Sequence, residues 1–235
     1  MTTARPLLLV TGIAQGFGAS VARAFAAQGH DVLGLSRRAA APEDVERRVR
    51  EAGGSYVHRR CDVTDPAALA AAIRPDAPRI AVLVHNAHRL VIAPSAETAL
   101  SDFEAAWRAV CFGAFAATRC VLPEMVAQGR GTIIFTGATA SIRGGANFSA
   151  FASAKFALRG LAQSLARECG PKGVHVAHVV VDGLIDAPQT TARSGSSGKT
   201  RIDPDAAADI FVTLALQHPS AWTHEIDLRP HGEAF

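Results

Sequence analysis

One octet restricts this chain more than any other feature. Thr11-Gly12-Ile13-Ala14-Gln15-Gly16-Phe17-Gly18 follows an apolar run, residues 7–10, and leads into an alanine-rich stretch. Three glycines between a strand and a helix permit a tight turn and let a ligand approach the backbone closely. The first helical turn then offers free N–H groups and the positive end of its dipole to an anion. The octet predicts a strand–turn–helix that holds the pyrophosphate of a dinucleotide, with Thr11, Gly12, Gln15, Gly16, Phe17 and Gly18 around it.

The rest of the chain continues that alternation. Leu7–Thr11, Asp31–Leu35, Ile80–Val84, Gly131–Thr136 and Val174–Val181 read as buried strands, because they are apolar without strict alternation. Between them, Gly16–Gln28, Pro42–Ala52, Pro66–Arg74, Ser101–Gln128 and Ser149–Glu168 read as helices. Phe151, Ala154, Leu158, Leu161 and Leu165 recur at helical spacing in the last of these. Gly29 suits a helix stop, and Asp65 before Pro66 suits a helix start. The expected fold is α/β: a single Rossmann-type domain over residues 1–235, a doubly wound parallel sheet with helices on both faces. The stretch Thr190–Thr200 is rich in Ser, Gly and Thr, and residues 186–202 are expected to form a mobile substrate loop. Its Gly-Lys-Thr end is not a phosphate loop, since the required first glycine would fall at Arg193 and no strand precedes it.

Composition narrows the partners. With 235 residues, 49% hydrophobic and 19% charged, the chain can bury a core and is not a disordered polymer. No apolar run approaches the roughly 20 residues of a membrane span, and the apolar segment in MTTARPLLLVTG is too short for a secretory signal. The net charge of +3 reads as a solvated surface. Only Arg47, Arg48 and Arg50 cluster, so no nucleic-acid partner is expected. Cys61, Cys111, Cys120 and Cys169 show neither disulfide nor metal spacing, which points to reduced thiols and a cytoplasmic location. His175 and His178 lie three apart on one strand, on opposite faces, and cannot pair as metal ligands.

From about Pro6 to Pro230 the chain resembles the short-chain dehydrogenase/reductase family. The resemblance is carried by the glycine octet, Cys61-Asp62-Val63, Val84-His85-Asn86-Ala87-His88, Leu122-Pro123-Glu124-Met125, the block Phe151 to Leu165 and Asp182-Gly183. It implies that Asp62 and Val63 contact the adenine, that Asn86, Ala87 and Gly183 line the cofactor, and that Lys155 holds the nicotinamide ribose. It also implies a homodimer or homotetramer built on the two long helices, and a small-molecule substrate. At the end of the second strand stand Ser36, Arg37 and Arg38, where an NAD-binding protein would carry a carboxylate. A hydroxyl with guanidinium groups suits a 2′-phosphate, so NADP(H) is expected over NAD(H).

The catalytic positions depart from the family. It carries a Tyr four residues before the Lys, a Ser about thirteen before the Tyr, and an Asn in the preceding helix. Here those places hold Phe151, Ala138 and Cys111, and only Lys155 remains. Phe cannot donate a proton. His88 stands where the family has Gly and is a candidate acid, with His85 on the same segment. Thr139 could take the place of the Ser, and Asp182 could act as a base. Three functions fit: an NADP(H)-dependent oxidoreductase acting on a small carbonyl or alcohol through an atypical site; a non-catalytic NADP(H)-binding sensor or subunit; and a lyase or isomerase using the same pocket.

Overall fold

Seven parallel strands make one sheet in the order β3-β2-β1-β4-β5-β6-β7. They are β1 Leu7–Thr11, β2 Asp31–Ser36, β3 Tyr56–Arg60, β4 Ile80–His85, β5 Gly131–Thr136, β6 Val174–Val181 and β7 Glu225–Leu228. The structure is a computed structural model that describes residues 4–194 and 201–232. Side chains alternate between two cores. Leu8, Val10, Val32, Val84 and Ile134 pack with helices α1 (Phe17–Ala27), α2 (Glu43–Glu51) and α8 (Pro204–Ala215). Leu9, Leu33, Leu83, Ile133 and Phe135 meet α3 (Pro66–Ile73), α5 (Gly113–Gln128) and α6 (Ser149–Cys169) on the other face. Strands covered on both sides have no solvent face to mark with polar residues, which is why they read as continuous apolar runs.

Local signals set several boundaries. Asp65 caps α3 by accepting from the Ala67 and Ala68 N–H groups at 2.9 and 3.1 Å, with Pro66 as the first helical residue. Asp203 and Pro204 repeat the device on α8, with both cap bonds at 2.8 Å. Gly29 closes the turn after α1 in the left-handed region, φ 85°.

Three segments differ from expectation. The stretch expected as one helix over Ser101–Gln128 is α4 (Leu100–Trp107), a π-helical turn Arg108–Phe112, and α5. The stretch Trp222–Pro230, which reads from the sequence as a last strand, pairs only over Glu225–Leu228, as β7. The 186–202 segment begins with a short helix, α7 (Pro188–Ser194), and is pinned at its base: Ile185 and Ile202 form a parallel bridge, and Arg201 pairs with Asp186 at 3.2 Å. Residues 195–200 of that expected loop lie outside the described residues. Finally, the continuous helical stretch Leu100–Gln128 is long and apolar enough to cross a membrane, contrary to the sequence expectation. Its buried residues, Ala106, Val110, Ala114, Ala117, Val121 and Met125, give it instead the pattern of a core helix.

Candidate active site

In a parallel sheet all strands end on the same edge, and loops from several of them converge there. At the centre of that edge, β1 and β4 touch. Gly12 has φ 76°, and a Cβ on it would lie 2.5 Å from the Ala87 Cα. The Gly12 and Ile13 N–H groups both donate to the Leu35 carbonyl, and the Asn86 amide donates to the Gly12 carbonyl at 3.3 Å. Gly16 precedes α1 with φ 85°, and no side chain caps the helix. The Ala19 N–H already donates to the Ala14 carbonyl at 3.1 Å, so the Phe17 and Gly18 N–H groups, not side chains, are what the octet offers an anion. Gln15 is exposed. Phe17 instead turns into the core and meets Phe211 edge-on at 5.1 Å, so only its backbone faces the cleft.

The second strand ends on a polar corner. The Ser36 hydroxyl is bonded to His58 Nε2 at 2.9 Å, while Arg37 and Arg38 are exposed. After β3, the exposed Asp62 accepts from the Thr64 N–H and hydroxyl, both at 2.9 Å, and Val63 is buried against Gly113.

His85 ends β4 wholly enclosed. Its Nδ1 meets the Thr11 hydroxyl at 2.7 Å and its Nε2 the Ala109 carbonyl at 3.2 Å. Burial, with the Lys155 ammonium adding to it, pushes its pKa down to about 3. The ring is therefore neutral, donating to Ala109 and accepting from Thr11. It ties β1 to the π-helical turn and cannot serve as a proton carrier for the cleft. Cys111 sits in that turn, half-buried, its thiol pushed up by burial. A π-helical turn inside a helix often marks a functional position.

Lys155 and Phe151 lie one turn apart on α6. The Lys155 ammonium is buried, donates to the Thr136 carbonyl at 2.6 Å, and stands 5.6 Å from the centre of the Phe151 ring. Burial lowers its pKa to about 7. Across the cleft, the exposed His88 presents its ring to Phe151 at 6.5 Å, with Nδ1 3.3 Å from the Asn86 carbonyl oxygen. The chain's single tyrosine is Tyr56, half-buried on β3, its pKa raised by burial. No phenol reaches Phe151's place.

The end of β5 meets the end of β6 around one buried carboxylate. Thr139 donates its hydroxyl proton to Asp182, which also pairs with Arg143 at 3.4 Å and Arg229 at 3.0 Å. In this geometry Thr139, the expected stand-in for the Ser, turns its proton towards Asp182, and Asp182 lies between two guanidinium groups. Ser141 is fully buried and accepts from the Ala138 N–H at 3.1 Å, so it does not compensate for Ala138. Gly183 follows, packed so closely that a Cβ would lie 2.8 Å from the Pro230 Cδ.

Two features escaped the sequence reading. His58 looks like a solvated residue on a polar strand, and only the register that places β3 beside β2 reveals its bond to Ser36. His178 is buried against Glu225 at 2.9 Å, and burial lowers its pKa to about 4 although the carboxylate opposes the shift. His175 turns the other way and stacks on Trp222 at 4.9 Å. The Arg47, Arg48 and Arg50 cluster is neutralised by Glu51, Asp205 and Glu46.

Comparison with known proteins agrees with this geometry. The family described as short chain dehydrogenase matches residues 6–196. The 2-dehydro-3-deoxy-D-gluconate 5-dehydrogenase of Pseudoalteromonas atlantica is 34% identical over 188 residues, 78% of this chain and 74% of that one. The 3-alpha-(or 20-beta)-hydroxysteroid dehydrogenase of Mycobacterium tuberculosis is 34% identical over 190 residues, covering 77% and 70%. Among solved structures, a short-chain dehydrogenase from Rhodopseudomonas palustris superposes with a TM-score of 0.83 at 35% identity, covering 96% of this chain and 99% of its own. A metagenomic short-chain oxidoreductase in complex with NADP gives 0.82 at 28% identity, with 96% of each chain covered. A glycine turn locked against the end of β4, in a sheet of this order and with relatives of this likeness, has one reading: the chain belongs to the short-chain dehydrogenase/reductase family.

Proposed function

We propose that the protein is an NADP(H)-dependent oxidoreductase that moves hydride to or from a small carbonyl or alcohol, with no tyrosine at the reacting centre. The observation that carries this reading is the intact cofactor half. Gly12 leaves no room for a side chain against Ala87, the first turn of α1 is uncapped, and Lys155 is buried at the end of β5. These residues fit a dinucleotide: backbone N–H groups for the pyrophosphate, Asp62 and Val63 for the adenine, Asn86, Ala87 and Gly183 along its length, and Lys155 for the nicotinamide ribose. Ser36, Arg37 and Arg38 suit a 2′-phosphate. A neighbour of the same fold was solved with NADP, and relatives carry the names of dehydrogenases of a sugar acid and of steroids.

The cofactor, when bound, supplies or accepts the hydride. The protein's part is orientation and the proton. Phe151 dries the centre and gives it an aromatic wall. His88, facing that wall from the end of β4, is the group that gives or takes the proton. The chain is read as one domain, with α7 and the pinned base at Ile185 and Ile202 beside the substrate. Leu100, Phe103 and Trp107 form an exposed apolar stripe at i, i+3 and i+7 on α4, which we assign to a homodimer or homotetramer contact.

The test is NADPH oxidation with aldehydes, ketones, imines and enones, run beside a binding titration. Turnover with at least one carbonyl, lost on His88→Ala, supports the reading. NADPH binding without any turnover gives way to the non-catalytic sensor or subunit.

A further inference from the structure

We propose that His58 and Arg60, both on β3, complete the site for the cofactor's 2′-phosphate. Arg60 serves as a third cation beside Arg37 and Arg38, and His58 positions the Ser36 hydroxyl. The inference rests on the NADP(H) reading above and extends it to a strand that the glycine octet and the β2 end do not include.

The register sets the geometry. In the parallel β2–β3 pair, Ser36 stands opposite Arg60 and Gly34 opposite His58. Residues two apart on a strand share a face, so Tyr56, His58 and Arg60 point to the side where Tyr56 packs with α1 and α2. Val57 and Arg59 point to the other, where Arg59 pairs with Asp76 at 2.7 Å. Gly34 contributes no side chain beside His58, and the ring reaches diagonally to Ser36 at 2.9 Å.

The charges make the corner unusual. On the neighbouring helix α2, Arg47 pairs with Asp44 and Glu51, and Arg50 with Glu46. Arg48 reaches Asp205. Arg37, Arg38 and Arg60 are exposed and, among the described residues, no carboxylate pairs with any of them. Three guanidinium groups with no carboxylate partner among the described residues, at two neighbouring strand ends, suit a group carrying nearly two negative charges.

Hydrogen-bond counting gives His58 its role. A hydroxyl has two acceptor sites and one proton. The Arg38 N–H donates to the Ser36 Oγ at 3.3 Å, filling one site. With His58 Nε2–H donating to the second, both are filled and the Ser36 proton is turned outward as a donor. Burial lowers the His58 pKa, and the proposed neutral tautomer carries its proton on Nε2, the nitrogen that faces Ser36. His58 thus acts through Ser36 and is a positioning residue, whereas Arg60 touches the phosphate.

The test measures NADPH and NADH dissociation constants by fluorescence titration of the full chain. The comparison takes the unmodified protein, Arg60→Gln, His58→Phe and His58→Gln. Arg60→Gln should weaken NADPH by about tenfold or more, the scale of a charge-assisted hydrogen bond, with NADH changed by less than about twofold. His58→Phe should weaken NADPH several-fold and leave NADH alone. His58→Gln, whose amide N–H takes the place of Nε2–H, should restore most of the loss. A general disturbance of the strand would weaken both cofactors alike, and that result overturns the inference, as does an unchanged NADPH-to-NADH ratio in Arg60→Gln and His58→Phe. An unmodified protein with no preference for NADPH overturns the cofactor reading itself, and that failure is visible before any variant is made.

Discussion

The Lys155 ammonium lies 5.6 Å from the centre of the Phe151 ring, buried, with the Thr136 carbonyl as its acceptor and no carboxylate beside it among the described residues. A tyrosine there would put a hydroxyl near the ammonium; a phenylalanine leaves the charge to an aromatic face and one peptide oxygen. That is poor compensation for leaving water, and the lysine pKa of about 7 expresses it.

The first prediction follows from linkage. The unfolded lysine titrates near 10.5 and the folded one near 7, so between those values the unfolded chain holds the extra proton. The Lys155 contribution to stability therefore rises as pH increases from about 7 towards 10.5, the reverse of a lysine in an ion pair. In the ligand-free protein, melting temperatures measured from pH 7 to 9.5 should climb relative to those of Lys155→Met. Parallel curves for the two proteins would reject the assignment. The same position should matter for the cofactor: Lys155→Ala should raise the NADPH dissociation constant at least about tenfold.

Ser36→Asp should invert cofactor preference. A carboxylate at the end of β2 would repel a 2′-phosphate and accept from ribose hydroxyls instead. NADPH should bind about tenfold or more weakly and NADH more tightly, read by the same titration. If NADPH affinity holds, Ser36 does not face the phosphate.

Restoring the missing groups should raise simple ketone reduction above the parent's own His88-dependent rate only when all are restored. Phe151→Tyr alone should do little, because Thr139 has turned its proton to Asp182, Ser141 is buried, and neither Ala138 nor Cys111 offers a substitute. The triple change Phe151→Tyr, Ala138→Ser and Cys111→Asn should raise ketone reduction by about 10² to 10⁴-fold over the parent. Initial rates of NADPH oxidation at saturating cofactor decide it. A parent that already matches the triple variant has its proton supplied elsewhere, and His88→Ala should then remove it.

The α4 stripe predicts assembly. Leu100 is 88% exposed at the start of α4, and Phe103 and Trp107 continue its line. Leu100→Glu with Phe103→Glu should lower the mass seen by light scattering to that of one chain, with the circular dichroism spectrum unchanged. An oligomer that survives both charges uses another surface.

How far the sequence discloses this molecule depends on where a signal is local. Strands buried on both faces announce themselves by apolar runs, so β1, β2, β4, β5 and β6 are legible to within a residue. β3 is harder, since Tyr56, His58, Arg59 and Arg60 carry no buried pattern; it is an edge strand. α8 is a different case: Asp203-Pro204 repeats the Asp65-Pro66 start, and the signal was there to be used. At the site, residue types were readable but proton directions were not. Nothing in the spacing of Thr139 and Asp182, or of Ser36 and His58, says that they meet, because the contacts come from strand pairing across distant stretches of chain.

Thr11 and His85 are 74 residues apart in the chain and adjacent in the sheet, at the single place where its two halves join. On one side lie the strands that end in the glycine turn, Ser36 and Asp62. On the other lie those leading to His88, Thr139 and Asp182. Beyond the last rung of the β1–β4 ladder the seam is closed by a glycine against an alanine, one amide and one imidazole. Such an arrangement works as a socket joined to an interchangeable tool. Phe151, Ala138 and Cys111 all belong to the tool side, and the glycine turn, Ser36 and Asp62 to the socket. The residues proposed for the far end of a dinucleotide, Asn86, Ala87, Gly183 and Lys155, stand across that seam from the glycine turn, so the two halves have to stay in register for one ligand to reach both.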